Sequence, residues 1–146
     1  MQKTTQDRKI LIQASNAFPM DRILARYCRE QNISVEAARS HEHELKRYLV
    51  LRVLNPNLRF PMASGPVDEL WHNFLLFTQE YAEFCKQVGG SFIHHFPGPP
   101  YPSESDVAEA QYDFDRFIEV YEQTYNEIPP QQLWPRIGQP GVLWSC

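Results

Sequence analysis

The sequence predicts an all-α protein, a single-domain irregular bundle of four to five helices with a Pro-rich C-terminal tail packed on it. Three observations carry that prediction. Apolar residues recur close to the 3.6-residue period over every long segment. Pro and Gly gather in four places that punctuate those segments, at Phe18-Pro19, Asn55 to Pro66, Gly89 to Pro102 and Ile128 to Pro140. A chain of 146 residues with 42% hydrophobic and 13% aromatic content suits one core, with 22% charged residues placing it far from the composition of disordered chains.

Residues 1–17 are set apart as an N-terminal segment free to be flexible. From Asp21 to Gln31, Ile23, Leu24, Tyr27 and Cys28 recur at three- and four-residue intervals, predicting a short amphipathic helix. Ser34 suits an N-cap, with Glu36 in the first turn where the helix dipole favours a negative charge. The helix it opens runs to about Leu54 and carries Ala38, His41, Leu45, Tyr48, Leu49 and Val53 on one stripe, ending before Pro56. Pro66 suits the first position of a third helix and Gly89-Gly90 its end. Its stripe is Val67, Leu70, Trp71, Phe74, Thr78, Tyr81, Cys85 and Val88. Ser103 or Ser105 caps a fourth helix reaching about Asn126, with Tyr112, Phe114, Phe117, Ile118, Tyr121 and Tyr125 supplying aromatic packing. Beyond it the 128–146 tail, with Trp134 and Trp144, is expected to lie over the bundle as irregular chain. Only residues 92–96 offer a short strand.

The formal net charge of -4 and the absence of Lys/Arg clusters argue against nucleic acid as a partner. No apolar run approaches the ~20 residues that span a bilayer, and Met1 to Asp7 is polar, without a signal-peptide core. Cys28, Cys85 and Cys146 are sparse and odd in number, which does not describe a disulfide framework. The expectation is a cytoplasmic protein with three free thiols, whose partner is a small molecule or another protein.

The densest chemistry lies in Val67-Asp68-Glu69-Leu70-Trp71-His72, followed by Tyr81, Cys85, Gly90 and Ile93-His94-His95-Phe96-Pro97, a window holding three of the five histidines. Over roughly residues 44–97 this pattern resembles the glycine-rich domain-containing protein-like family, a domain of unknown function marked by an Asp, Trp-His, then a Tyr and a Cys on one helix, a Gly and a downstream His. The resemblance implies a helical fold and no established reaction. One departure is Phe74, which stands where many members resemble a second histidine of a Trp-His-x-His motif.

Asp68 and His72 are four residues apart, so on a helix they share a face one turn from each other. Two histidines with one carboxylate leave coordination positions open on zinc or iron, as in zinc hydrolases and non-haem iron oxygenases. His94 or His95 is the third candidate ligand. Adjacent side chains of extended backbone point opposite ways, so only one of the pair joins the site, and His94 is the first choice. Distance sets a condition. An unbroken helix puts Gly90 about 27 Å from His72 at ~1.5 Å per residue, whereas Gly90 to His94 extends only about 14 Å. The helix must therefore break, and Thr78 followed by Gln79-Glu80 suits a new N-cap.

Each sharp reading has a plain competitor. Asp68 suits a helix N-terminus without any ligand, and His72 can simply hydrogen-bond Asp68. His41 lies on an apolar stripe and His43 about 200° away from it. Cys28 and Cys85 fit buried inert thiols, and Trp71 is either core or the wall of a ligand pocket beside His72. Two functions follow. In the first the protein binds one divalent transition metal, Zn or Fe, through Asp68, His72 and one of His94 and His95, with hydrolytic or oxidative chemistry in which Tyr81 or Glu69 transfers protons. In the second it is a non-catalytic interaction module and the Asp/His residues are structural.

Overall fold

The computed structural model describes residues 4–135, and among them six α-helices and no strand are present. They are α1 (Thr5–Ala17), α2 (Asp21–Gln31), α3 (Val35–Leu54), α4 (Gly65–Leu76), α5 (Thr78–Val88) and α6 (Glu104–Tyr125). Two features bring the number above the expected four to five. The N-terminal segment forms α1, and the third predicted helix is divided into α4 and α5.

The N-terminal helix owes its start to a capping box. Thr4 Oγ1 accepts from the Asp7 amide, and the Asp7 carboxylate accepts from the Thr4 amide at 3.1 Å. Its other end is gathered by Lys46 of α3. That buried ammonium donates to the Phe18 carbonyl at 2.6 Å and the Asn16 carbonyl at 3.4 Å, and pairs with Glu42 at 3.0 Å. A cation belongs at a helix C-terminus, where unpaired carbonyls concentrate negative charge.

Helix α3 packs on α1, α2 and α4, and α4 packs in turn on α2 and α5. Ser34 caps α3 as expected, its hydroxyl accepting from the Ala37 amide at 3.1 Å. Of its predicted stripe, Ala38, Leu45, Tyr48 and Leu49 are buried while His41 and Val53 are half-buried. Tyr27 has one hydroxyl proton, which goes to the Pro66 carbonyl at 2.9 Å. His41 at 2.8 Å is then the donor through Nδ1, so one tyrosine links α2, α3 and α4.

Helix α6 lies across α3 through aromatic contacts. Ser103 makes a capping box with Asp106, and Asn126 ends the helix in the left-handed conformation at φ 53°. Phe114, Phe117 and Tyr121 are buried, but Tyr112, expected to pack, is exposed because it falls on the opposite side of the helix. Buried Glu44 of α3 holds this layer down. Its Oε1 accepts from the Tyr121 hydroxyl at 2.8 Å and from Trp134 Nε1 at 2.9 Å. Trp134 stacks on Tyr48 with ring centroids 5.9 Å apart and meets Phe117 at 4.8 Å, so the first part of the Pro-rich tail does cover the bundle. Trp144 and Cys146 lie outside the described residues.

Candidate metal centre

The candidate centre begins with a helix start. Ser64, the N-cap of α4, accepts from the Val67 amide at 3.3 Å, with Gly65 and then Pro66 as the first helical residues. This places Asp68 in the first turn, where the helix dipole favours its charge. His72 stands one turn further on, its Nε2 3.4 Å from Asp68 Oδ1.

The helix then breaks where distance requires it. Phe77, with φ -88° and ψ 70°, ends α4 and begins α5. Thr78 was the expected cap, but the junction is Phe77 and no side chain caps the start of α5. Its place is taken by backbone bonds, Phe77 donating to the Phe74 carbonyl at 3.0 Å and Tyr81 to the Phe77 carbonyl at 2.8 Å. The chain reverses a second time after α5. The Gly89 and Gly90 amides both donate to the Cys85 carbonyl, at 2.8 and 2.9 Å, and Gly90 turns the chain at φ 82°.

The returning segment is fixed by two side chains of α5, Tyr81 and Cys85, which share a face four residues apart. Cys85 Sγ accepts from the Ile93 amide at 3.3 Å. The Tyr81 hydroxyl donates to the Ile93 carbonyl and accepts from Trp71 Nε1 at 3.1 Å. Ile93 is thereby clamped at both its backbone groups. Residues 92–96 belong to no helix or strand, and their burial alternates as it does when successive side chains face opposite ways. Ile93 and His95 turn inward, while Phe92, His94 and Phe96 follow one another on the outer side, with ring centroids 4.9 and 6.1 Å apart.

His95, and not His94, is therefore the histidine brought to α4. The expected alternation is present with the opposite phase, because the Ile93 clamp sets which parity points in. His95 Nε2 lies 2.7 Å from Asp68 Oδ1 and 3.2 Å from His72 Nε2, and its ring packs on Trp71 with centroids 4.4 Å apart. Asp68 is only 1% exposed, because the returning segment covers a helix face that would otherwise meet solvent. The rim is more open, with the His95 side chain 12% and the His72 side chain 35% exposed.

Asp68, His72 and His95 are close enough to hold a metal ion. The circle through Oδ1 and the two Nε2 atoms has a radius of about 1.8 Å, so a point ~2.0 to 2.1 Å from all three lies about 1 Å out of their plane. Ordinary zinc–nitrogen and zinc–oxygen bonds fit this triangle with little adjustment. As a purely hydrogen-bonded array it is less complete. Two imidazole nitrogens crowd Oδ1, while Oδ2 of the same carboxylate is buried without a partner. Burying an ionised carboxylate with one oxygen unpaired is unfavourable unless a cation compensates it.

The other expected site residues fall around this triangle. Glu69 is half-exposed, with Oε1 4.0 Å from His72 Nδ1 on the far side of the ring. Trp71 is buried, and its ring supports His95. Tyr81 has its only proton committed to Ile93, and burial pushes the hydroxyl pKa up, which makes it a clamp at neutral pH. Cys85 is buried, with its thiol pKa also pushed up by burial, and it takes no part in the triangle. Among the described residues, Cys28 and Cys85 form no disulfide. Phe74, at the departure from the resembled motif, is a fully buried ring edge-on to Tyr81 at 4.9 Å.

The chain belongs to the UCP032817-like family, whose model matches residues 8–120. That match extends well beyond the 44–97 window of the resemblance and does not carry the glycine-rich family name suggested there. No curated protein and no solved structure matches the chain.

Proposed function

We propose that this member of the UCP032817-like family binds one divalent transition metal, zinc or iron, through Asp68 Oδ1, His72 Nε2 and His95 Nε2. The observation that carries the reading is the convergence of these three atoms, from two separate segments, beside a buried carboxylate oxygen without a partner. Two imidazoles and a carboxylate suit either metal and leave coordination positions free. When bound, such a metal supplies a Lewis-acid centre able to activate water or dioxygen. The residues around it have separable tasks. Trp71 and the Ile93 clamp hold the His95 ring, Glu69 approaches the outer nitrogen of His72, and partial exposure of His72 leaves that edge of the triangle open to a small molecule. Glu69 is the better placed of the two expected proton-transfer groups, since Tyr81 has no proton to spare.

Cobalt(II) titration tests the ligand set, because cobalt in a low-symmetry nitrogen and oxygen site gives visible absorption that zinc abolishes. The wild-type chain and His94→Ala should both develop the band and saturate at one equivalent. His95→Ala should not. A band lost equally in His94→Ala, or kept in His95→Ala, would overturn the assignment. Should none of the proteins bind cobalt or zinc, the three residues revert to a hydrogen-bonded link between α4 and the returning segment, as in the interaction-module reading.

A further inference from the structure

A groove of about 970 Å³ opens on the other side of Trp71. Its walls come from the end of α3, the loop after it, the returning segment and the start of α6, with Val53, Leu58, Met62, Phe92 and Phe96 among the apolar surfaces. It is large enough for a small organic ligand, and such sites combine mostly apolar walls with a few placed polar groups. The Asp68 triangle does not line it, so what occupies the groove is a question separate from the metal.

The placed polar group is Arg52. Its guanidinium lies 5.6 Å from the ring centre of Phe96, 5.8 Å from that of Trp71 and 6.0 Å from that of Tyr48. It is half-buried, yet among the described residues no carboxylate pairs with it. Half-buried Arg47 of the same helix differs, since it pairs with Glu127 at 2.5 Å while resting on Tyr125. A guanidinium keeps its charge at any working pH and presents a planar fork matched to a carboxylate or sulfonate. Three aromatic faces beside it restrict the hydration that would otherwise satisfy it. The groove's acidic residues, Asp106, Glu109 and Asp113, sit on the α6 wall, where Arg59 faces Asp113 and Asp106 is already bonded to the Ser103 amide at 2.9 Å.

We infer that the groove is a binding site for a small organic anion with a flat apolar body, its carboxylate or sulfonate taken by Arg52 and its body laid between Phe92, Phe96 and the Leu58–Met62 wall. The aromatic rings prefer a planar occupant, and the Arg52 guanidinium beside them selects the sign of its charge.

Calorimetric titrations of the full chain in the presence of a chelator, so that the metal proposal has no bearing on the result, use three probes of one shape: naphthoate, naphthalenemethanol and naphthylmethylammonium. Naphthoate should bind saturably at one site and at least roughly tenfold more tightly than the neutral alcohol, the usual effect of a charged hydrogen-bonded partner. The ammonium probe should be weakest. Arg52→Gln should bring naphthoate down to the affinity of the alcohol without changing that of the alcohol, whereas Arg59→Gln should leave the naphthoate preference intact. No saturable naphthoate binding, equal affinity for the three probes, a preference for the cation, or an unchanged preference in Arg52→Gln would each overturn the inference. If Arg52→Gln loses its helical circular dichroism, the ranking of the probes on the wild-type chain decides alone.

Discussion

Tyr81→Phe isolates the clamp that determines which histidine points inward. The substitution removes one oxygen and nothing else from a residue 1% exposed. Two buried groups lose their partner together, the Ile93 carbonyl and the Trp71 indole N–H. Leaving a buried polar group unpaired costs about 1 to 3 kcal/mol, so with some relaxation the pair predicts a loss of roughly 2 to 4 kcal/mol. For a chain of this length, each kcal/mol moves the thermal midpoint by about 3 to 5 °C. Urea unfolding followed by far-ultraviolet circular dichroism gives the free energy directly, provided the slope with denaturant is unchanged. Because the Ile93 amide stays tied to Cys85, the returning segment should remain attached but less rigid, and zinc affinity should fall along with stability. A loss below about 0.5 kcal/mol, within the range of an ordinary surface change, would refute the clamp.

Other elements make separate predictions. Glu44→Ala leaves the Trp134 indole N–H unpaired and the Tyr121 hydroxyl proton without its acceptor, though that oxygen still accepts from Arg47, and should cost roughly 2 to 4 kcal/mol while shifting tryptophan emission to the red, whereas an unshifted spectrum would show that Glu44 does not hold the tail. Gly90 adopts φ 82° with open space where a Cβ would stand, so Gly90→Ala should cost about 1 kcal/mol from backbone strain alone and Gly90→Asn less, with denaturant midpoints checking that order. Burial lowers the pKa of His41 below its ordinary 6.5, so the unfolded chain binds the proton more readily. Stability should therefore fall as pH drops from about 6.5 toward the lowered folded value and level off beneath it. His41→Gln, which keeps a donor for Tyr27, should show a smaller fall between neutral and mildly acid pH, and identical slopes for the two proteins would count against this sign.

Most of the fold was legible in the sequence because periodicity and punctuation agree. Ser34, Ser103 and Pro66 mark helix starts by the chemistry of unpaired amides, and Gly89-Gly90 marks an end. The first helix was missed because Ile10, Leu11 and Ile12 are consecutive and form no stripe, while its anchor, Lys46, is a charged residue that sequence alone places in solvent. The break between α4 and α5 was required by the span from His72 to the downstream histidines, but its position at Phe77 follows from backbone geometry that leaves no signature in residue type. The choice between His94 and His95 was beyond the sequence for a related reason. Both are equally distant along the chain, and only the clamp on Ile93 by Tyr81 and Cys85 sets the phase. Arg52 gave no signal either, since its meaning comes from three rings contributed by α3, α4 and the returning segment.

The measurement closest to the central claim is the metal content of the protein, purified without a histidine tag or chelator and then equilibrated with zinc or iron(II) and desalted. Wild type should hold about one metal ion per chain, with His72→Ala and His95→Ala losing it while keeping most of their helix, since the core stripe through Leu70, Trp71 and Phe74 does not depend on either imidazole. Wild-type protein holding no more than trace metal after both treatments, or either variant retaining a full equivalent, would contradict it.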